Sequence, residues 1–357
     1  MSKPRVEILC PVNSPAEVEA VIRQGATELY CGVLRRSWKG KYSNVASPNR
    51  REWTSSNMQS YDELREAVRI AHGLGVRVFL AMNGLYTEPQ YPMVRREVED
   101  GVACGVDALI IADIGLLAMM REWAPGVEFH ISTGGTTFNS MTARFYKRLG
   151  AARIVLPRHL RVDEMISLAR RNPAIVFEAF ILNRGCKNID GFCTFQHGVN
   201  EIRMGPLYRI PKKLNLDLRL LQFLRALPER CARPLASALV SGADGACFLD
   251  YEVSAESERL TRRQCTEAER FIKSCFSVLT GIDTCGVCQL KALVEGGITH
   301  FKIVGRENVT DKKLRDVRFL VEALRRLDET QDAFRRTVRA TYRRIYGVPC
   351  RNLCYFT

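Results

Sequence analysis

A glycine-led joint repeated along the chain, eight apolar runs and amphipathic segments between those runs predict an α/β fold, a TIM-like (β/α)8 barrel. The joint recurs as Gly25-Ala-Thr-Glu-Leu-Tyr-Cys-Gly, Gly75-Val-Arg-Val-Phe-Leu-Ala-Met, Gly105-Val-Asp-Ala-Leu-Ile-Ile-Ala, Gly150-Ala-Ala-Arg-Ile-Val-Leu-Pro and Gly297-Ile-Thr-His-Phe-Lys-Ile-Val. In each, glycine ends a helix in the left-handed conformation and the run behind it reads as a strand. The eight runs are Val6 to Cys10, Glu28 to Gly32, Arg77 to Met82, Ala108 to Ala112, Val127 to Ile131, Arg153 to Leu156, Ile175 to Leu182 and His300 to Val304. Apolar residues at successive positions mean burial on both faces, as in a parallel sheet. A doubly wound sheet is the competitor, but no G-x-G-x-x-G follows the first run, and eight strands are the number a closed barrel needs.

The helices between the runs carry their own start signals. Ser14 precedes Pro15 and is followed three residues later by Glu17, a capping box with proline at the first helical position. Ser60-Tyr-Asp-Glu63 opens the next helix in the same way, and Leu64, Ala67, Val68 and Ala71 fall on one face of it. Further helices are expected near 91–104, 115–123, 139–149 and 162–171. Two segments exceed a minimal barrel. The polar stretch from Trp38 to Met58 suggests a lid or a wall over one end, and a long excursion from Asn183 to about Gly281 separates the seventh and eighth strands. The expected organisation is a barrel over residues 1–309, including a cysteine-bearing insertion at 183–284, followed by a basic helical extension over 310–357. Leu314, Val317, Leu320, Val321 and Leu324 mark a long helix expected outside the eightfold set.

A chain of 357 residues builds a core without staples, so size does not explain its thirteen cysteines. No run approaches the roughly 18 apolar residues of a membrane span, and no apolar stretch follows the basic start. A cytoplasmic location with reduced or metal-bound thiols is therefore expected. The net charge of +14 favours an anionic partner, whether nucleic acid, an acidic carrier protein, a membrane surface or an anionic small molecule. Much of the excess sits at Arg325, Arg326, Arg335, Arg336, Arg339, Arg343 and Arg344, interrupted by Asp328, Glu329 and Asp332. That alternation reads as a solvated helix face, so a small-molecule or carrier-bound substrate is expected ahead of RNA.

Polar residues that follow the apolar runs point to chemistry at the strand ends. They are Asn83, Asp113, His130 to Thr133, Arg158, Glu178 and Arg306. Two arginines there suit a carboxylate or phosphate, and the carboxylates and histidine suit proton transfer. Cys186-x-x-x-x-Gly191-x-Cys193 follows the seventh run, and Cys231, Cys247, Cys285 and Cys288 are available to complete a thiolate site. Such ligands suit zinc or an iron–sulfur cluster; scattered single cysteines favour the cluster.

The run Glu178-x-Phe180 followed by Cys186-x-x-x-x-Gly191-x-Cys193 resembles the signature of the peptidase U32 family, called collagenase-like peptidases. Gly25 to Gly32 is similar to its G-A-D-x-V-Y-L-G segment, the stretch from Gly105 through Asp113 to V-D-A-L-I-V-x-D-L-G, and His130-Ile-Ser-Thr to H-A-S-T-Q. Gly297 to Arg306 is similar to its closing G-V-D-S-L-K-I-E-G-R. The resemblance implies a 4Fe-4S cluster and oxygen-independent hydroxylation of a small aromatic, a lipid precursor or RNA, with prephenate as oxygen donor in several pathways. Carried over, it implies Cys186, Cys193, Cys247 and Cys285 as cluster ligands, with Cys231 and Cys288 in reserve. Arg158, Glu178, His130 and Asp113 are the expected catalytic set around an anionic small molecule, and Asn83 and Arg306 the expected cofactor-binding pair. A hetero-oligomer with a related family member is among the implied partners. The family's glycine and small residue before the first cysteine are replaced here by Asn183-Arg184-Gly185. A peptidase, as the family name suggests, and a non-catalytic iron–sulfur scaffold are the alternatives; no G-x-S-x-G or H-E-x-x-H supports the first.

Overall fold

The computed structural model describes residues 5–41, 47–51, 54–183, 185, 261–266, 284–350 and 354–356. Eight strands form a closed barrel in sequence order: β1 Glu7–Pro11, β2 Glu28–Cys31, β3 Arg77–Met82, β4 Ala108–Ile111, β5 Glu128–Ile131, β6 Arg153–Val155, β7 Val176–Leu182 and β8 His300–Ile303. Every pairing is parallel, and β8 closes on β1 with Glu7 opposite His300. The strands lie where the apolar runs place them, because only uninterrupted apolar sequence tolerates a sheet covered on both faces.

The helices follow in order: α1 Val18–Gln24, α2 Arg36–Lys41, α3 Tyr61–Gly73, α4 Tyr91–Ala103, α5 Ile114–Trp123, α6 Ser140–Arg148, α7 Val162–Arg171, α8 Leu290–Glu295, α9 Thr310–Leu324 and α10 Gln331–Tyr346. The start of α3 behaves as its sequence suggests. Ser60 Oγ accepts from the Glu63 N–H at 3.2 Å while the Glu63 carboxylate accepts from the N–H of Gln59 at 2.8 Å, so the return bond lands one residue early. Gly25 ends α1 at φ 116°, and a Cβ there would stand 2.6 Å from Val321 of α9. Both the backbone conformation and the close helix approach require glycine.

That contact corrects one expectation. Helix α9 is not outside the eightfold set; it takes the eighth helical position and closes the ring against α1 and β1. Val317, Phe319 and Leu320 bury its inner face. Lys313 is fully buried and its Nζ meets the Glu17 carboxylate, at the start of α1, at 2.8 and 3.0 Å.

Most of the segment between β7 and β8, including Cys186, Cys193, Cys231 and Cys247, lies outside the described residues. Its return is described. Asn183 donates its N–H to the Thr284 carbonyl and Gly286 donates to Ile181, both at 2.8 Å, so the chain comes back antiparallel along the C-terminal end of β7. The fold predicts that Lys313→Met, which strands a buried carboxylate, costs about 3–5 kcal/mol in urea unfolding. The double variant Glu17→Gln, Lys313→Met recovers much of that loss; a single variant with wild-type stability would remove the pair from the account of ring closure.

Candidate active site at the barrel mouth

Side chains converge where parallel strands end, because successive βα loops rise around one space. Here the loop after β2 folds over that space. Arg50 turns it at φ 57°. The Ser47 hydroxyl accepts from the Arg51 N–H at 2.8 Å, and Asn49 Nδ2 donates to the Val33 carbonyl at 2.9 Å. Gly84 N–H and the Tyr86 hydroxyl both donate to the Pro48 carbonyl, at 2.9 and 2.7 Å. Residues 47–51 are thereby fastened to the ends of β2 and β3 as a wall, as the sequence suggests.

Arg306, after β8, lies buried beneath this wall. Its Nη2 donates to the Asn49 carbonyl at 3.1 Å and to Asn49 Oδ1 at 2.9 Å. Among the described residues its Nη1 has no hydrogen-bond partner, and it faces Gly32, where any side chain would collide with it. Among the described residues no carboxylate pairs with this guanidinium. Burial, then the Arg51 cation, lowers its pKa to about 10, which still leaves it charged at neutral pH.

Arg51 and Lys302 lie within its electrostatic reach, and further cations stand by other strand ends. Lys302 is buried with its ammonium 4.1 Å from the Tyr30 ring centre, and burial pulls its pKa below the ordinary lysine value. Arg158 holds its guanidinium 3.7 Å from the centre of the Phe180 ring. A Cβ on Gly134, at the end of β5, would stand 3.3 Å from Arg50 Nη1. Arg50, Arg51 and Lys302 were not read as site residues, although Arg50 and Arg51 were visible in the polar loop and Lys302 on the eighth run. The opening is rich in fixed positive charge, and planar guanidinium groups suit carboxylate or phosphate oxygens.

Glu178 and His130 belong to the barrel interior rather than to this opening. Arg153 Nη1 joins Glu28 at 2.6 Å and Glu178 at 3.0 Å, and Lys302 lies 3.4 Å from Glu178 on the other side. Burial opposes the Glu178 charge, yet Lys302 and Arg153 hold its pKa down to about 2. It is therefore a carboxylate, not a proton donor, at neutral pH. His130 packs edge-on against Phe79 with ring centres 4.7 Å apart, and burial lowers its pKa to about 4. Asp113 caps α5, accepting from the Leu116 and Tyr86 N–H groups and the Tyr91 hydroxyl at 2.7, 3.1 and 3.0 Å. Asn83 donates to the Ser132 hydroxyl at 3.3 Å, with its own Oδ1 buried and unpartnered. Arg158, Arg306 and Asn83 thus stand at strand ends, while Asp113 is taken up by the α5 cap.

Of the four expected cluster ligands only Cys285 is described. It adjoins Cys354 in a short parallel bridge. Among the described residues no three His, Cys, Asp or Glu side chains already stand at metal-ligand spacing. Thiolate chemistry fits an iron–sulfur cluster, and the remaining expected ligands fall in the segment outside the described residues.

The buried histidines make an acid-stability prediction. His130 and His300 are both held at about 4 by burial, whereas an unfolded histidine titrates near 6.5. In that interval the unfolded chain binds more protons, so stability falls as pH drops from about 6.5 toward about 4. Urea midpoints across this range should decline, and His130→Asn should flatten the slope. An unchanged slope would show that His130 does not titrate differently on unfolding.

Comparison with known proteins places these features in a family. The profile of peptidase family U32 matches residues 13–205 and 230–355, most of the chain. The tRNA hydroxylation protein P of Haemophilus influenzae is 25% identical over 195 residues, 55% of this chain and 39% of that protein. The 23S rRNA 5-hydroxycytidine C2501 synthase of Escherichia coli is 27% identical over 197 residues, 55% of this chain and 27% of that protein. This chain therefore aligns with less than half the length of either relative. The solved structure of the U32 peptidase Mk0906 aligns over 52% of this chain and 72% of its own at 15% identity, with a TM-score of 0.40. By the family profile that runs through its barrel and both ends of the long insertion, this chain belongs to peptidase family U32.

Proposed function

We propose that the chain is a component of an oxygen-independent hydroxylase acting on an RNA base. In this reading the barrel mouth holds an anionic small molecule, with prephenate as the candidate oxygen donor, and the thiolates of Cys186, Cys193, Cys247 and Cys285 hold a 4Fe-4S cluster. The observation that carries the reading is Arg306, a buried cation with Nη1 unpartnered, at an opening that Arg50, Arg51 and Arg158 make more positive. An uncompensated buried cation is costly, and a bound carboxylate removes that cost. Two carboxylates on one small donor match two guanidinium forks better than a single-charged ligand does.

The names of the relatives supply the substrate class. Both hydroxylation proteins are described as acting on RNA, which reverses the ordering drawn from charge alternation alone. The net charge of +14 and the exposed arginines of α10 suit phosphate contact. When bound, the cluster would supply one-electron chemistry. The chain's own residues bind and orient the anion through Arg306 and Arg158, and the wall at 47–51 limits water at the opening. The peptidase reading has no comparable support: among the described residues no serine or cysteine is hydrogen-bonded to a histidine.

Mass spectrometry of tRNA and rRNA nucleosides from cells lacking this chain should show loss of a hydroxylated nucleoside. Wild-type chain restores it, and Arg158→Ala does not, although that variant keeps its iron and its urea midpoint. Nucleosides that are identical with and without the chain would overturn the RNA assignment.

A further inference from the structure

Four cysteines gather near the rim of β7, where the chain returns from the insertion and the C-terminal segment ends. Cys285 bridges antiparallel to Leu182 and parallel to Cys354, and the Tyr355 N–H donates to the Cys285 carbonyl at 3.1 Å. Adjacent strands run about 4.8 Å apart, so these two cysteines are held together by backbone. Cys288 lies in the short 3-10 turn Val287–Gln289 that follows. Helix α10 packs on that turn, with Gln331 donating to the Cys288 carbonyl at 3.0 Å and Arg335 to the Gln289 side chain at 3.4 Å. Cys350 comes just after α10. The Cys288, Cys350 and Cys354 thiols lie near enough to Cys285 that their thiolates would repel one another, and Arg339 is hydrogen-bonded to Cys288. Phe356 covers Gly286 so closely that a Cβ would stand 2.5 Å from its ring.

The pattern is C-x-x-C followed by C-x-x-x-C, two short knuckles of the spacing that closed tetrahedral zinc sites use. We propose that Cys285, Cys288, Cys350 and Cys354 form a tetrathiolate zinc site that clasps the C-terminal segment to the rim of β7. The four thiols give up four protons as zinc binds, and Arg339 offsets part of the resulting double negative charge. The thiols are not at ligand spacing as they stand, so binding closes them by side-chain rotation, while the strand bridges and α10 fix where they meet. Cys285 is then not a ligand of the proposed iron–sulfur cluster, and Cys231 takes its place beside Cys186, Cys193 and Cys247. The zinc site stands independently of the hydroxylase reading.

Thr284 packs against Gly185, the neighbour of Cys186, so the test reads both metals. Full-length chain prepared anaerobically should contain one zinc per chain in addition to iron. Cys350→Ser with Cys354→Ser should lose the zinc and keep the iron, whereas Cys186→Ser with Cys193→Ser should lose the iron and keep the zinc. Absence of zinc from the wild type, its retention by the first double variant, or loss of iron from that variant would each overturn the site. Should that variant fail to fold, cobalt exchanged into the wild type decides: thiolate-to-cobalt charge transfer with tetrahedral d–d bands supports the site, and their absence overturns it.

Discussion

Arg153 inside the barrel is the contact on which the rest depends. One guanidinium draws together Glu28 of β2 and Glu178 of β7, and Lys302 of β8 meets the same Glu178 from the opposite side. Four strands are thereby tied by charge as well as by backbone hydrogen bonds. A slip of β6 by one residue would turn Arg153 out of the barrel and leave two carboxylates buried without their partner. Each charge in this chain is expensive alone. Burial raises the pKa of Glu28 against the opposing pull of Arg153, while Lys302 and Arg153 together hold Glu178 as a carboxylate. The network therefore specifies register more than it adds stability, since a well-packed apolar set of similar volume would avoid the desolvation cost.

Moving along the barrel from Arg153 toward the mouth, the compensation runs out. Arg153 has two carboxylates, Lys302 shares one, and among the described residues Arg306 is hydrogen-bonded to the neutral oxygens of Asn49. The opening accordingly has a positive field backed by a low-dielectric wall, where a bound anion interacts more strongly than it would at an open surface. The wall at 47–51 matters for the same reason, because Asn49 both orients Arg306 and ties it to the end of β2. Gly32 completes this arrangement by leaving space for Nη1.

The strands and most helices were legible because they are local: an apolar run buried on both faces, a capping serine, a glycine at positive φ. The site was legible only in part, for a geometric reason. Residues that end strands can be found in sequence, and Arg158 and Arg306 were. Whether a polar residue on a strand points into the barrel and finds a partner depends on strands far away in sequence, so Glu178 looked available when Arg153 and Lys302 already hold it. Asp113 illustrates the opposite case, since a carboxylate three residues before an N–H it accepts from is a local capping signal. Arg50 and Arg51 lie in a loop whose inward fold depends on Pro48 meeting Gly84 and Tyr86. Cys350 and Cys354 carry no meaning until α10 returns the chain to β7.

Asn183 shows why that return is not incidental. It sits at φ 65°, a left-handed conformation that asparagine tolerates better than most residues, at the point where the insertion leaves β7. Its Nδ2 donates to Asp316 of α9 at 2.8 Å and to the Val304 carbonyl at 3.1 Å, and its Oδ1 accepts from Lys312 at 2.8 Å. Asp316 in turn accepts from the Tyr346 hydroxyl of α10 at 2.6 Å, and the Tyr355 hydroxyl donates to the Asn183 carbonyl. One residue thus joins the end of β7, the end of β8, both C-terminal helices and the terminal segment. Cys186 lies three residues beyond this anchor, and consecutive Cα atoms are only about 3.8 Å apart. The point at which the chain leaves β7 is therefore held by the C-terminal helices, and α9 and α10 are coupled to the end of that strand through Asn183 and Asp316.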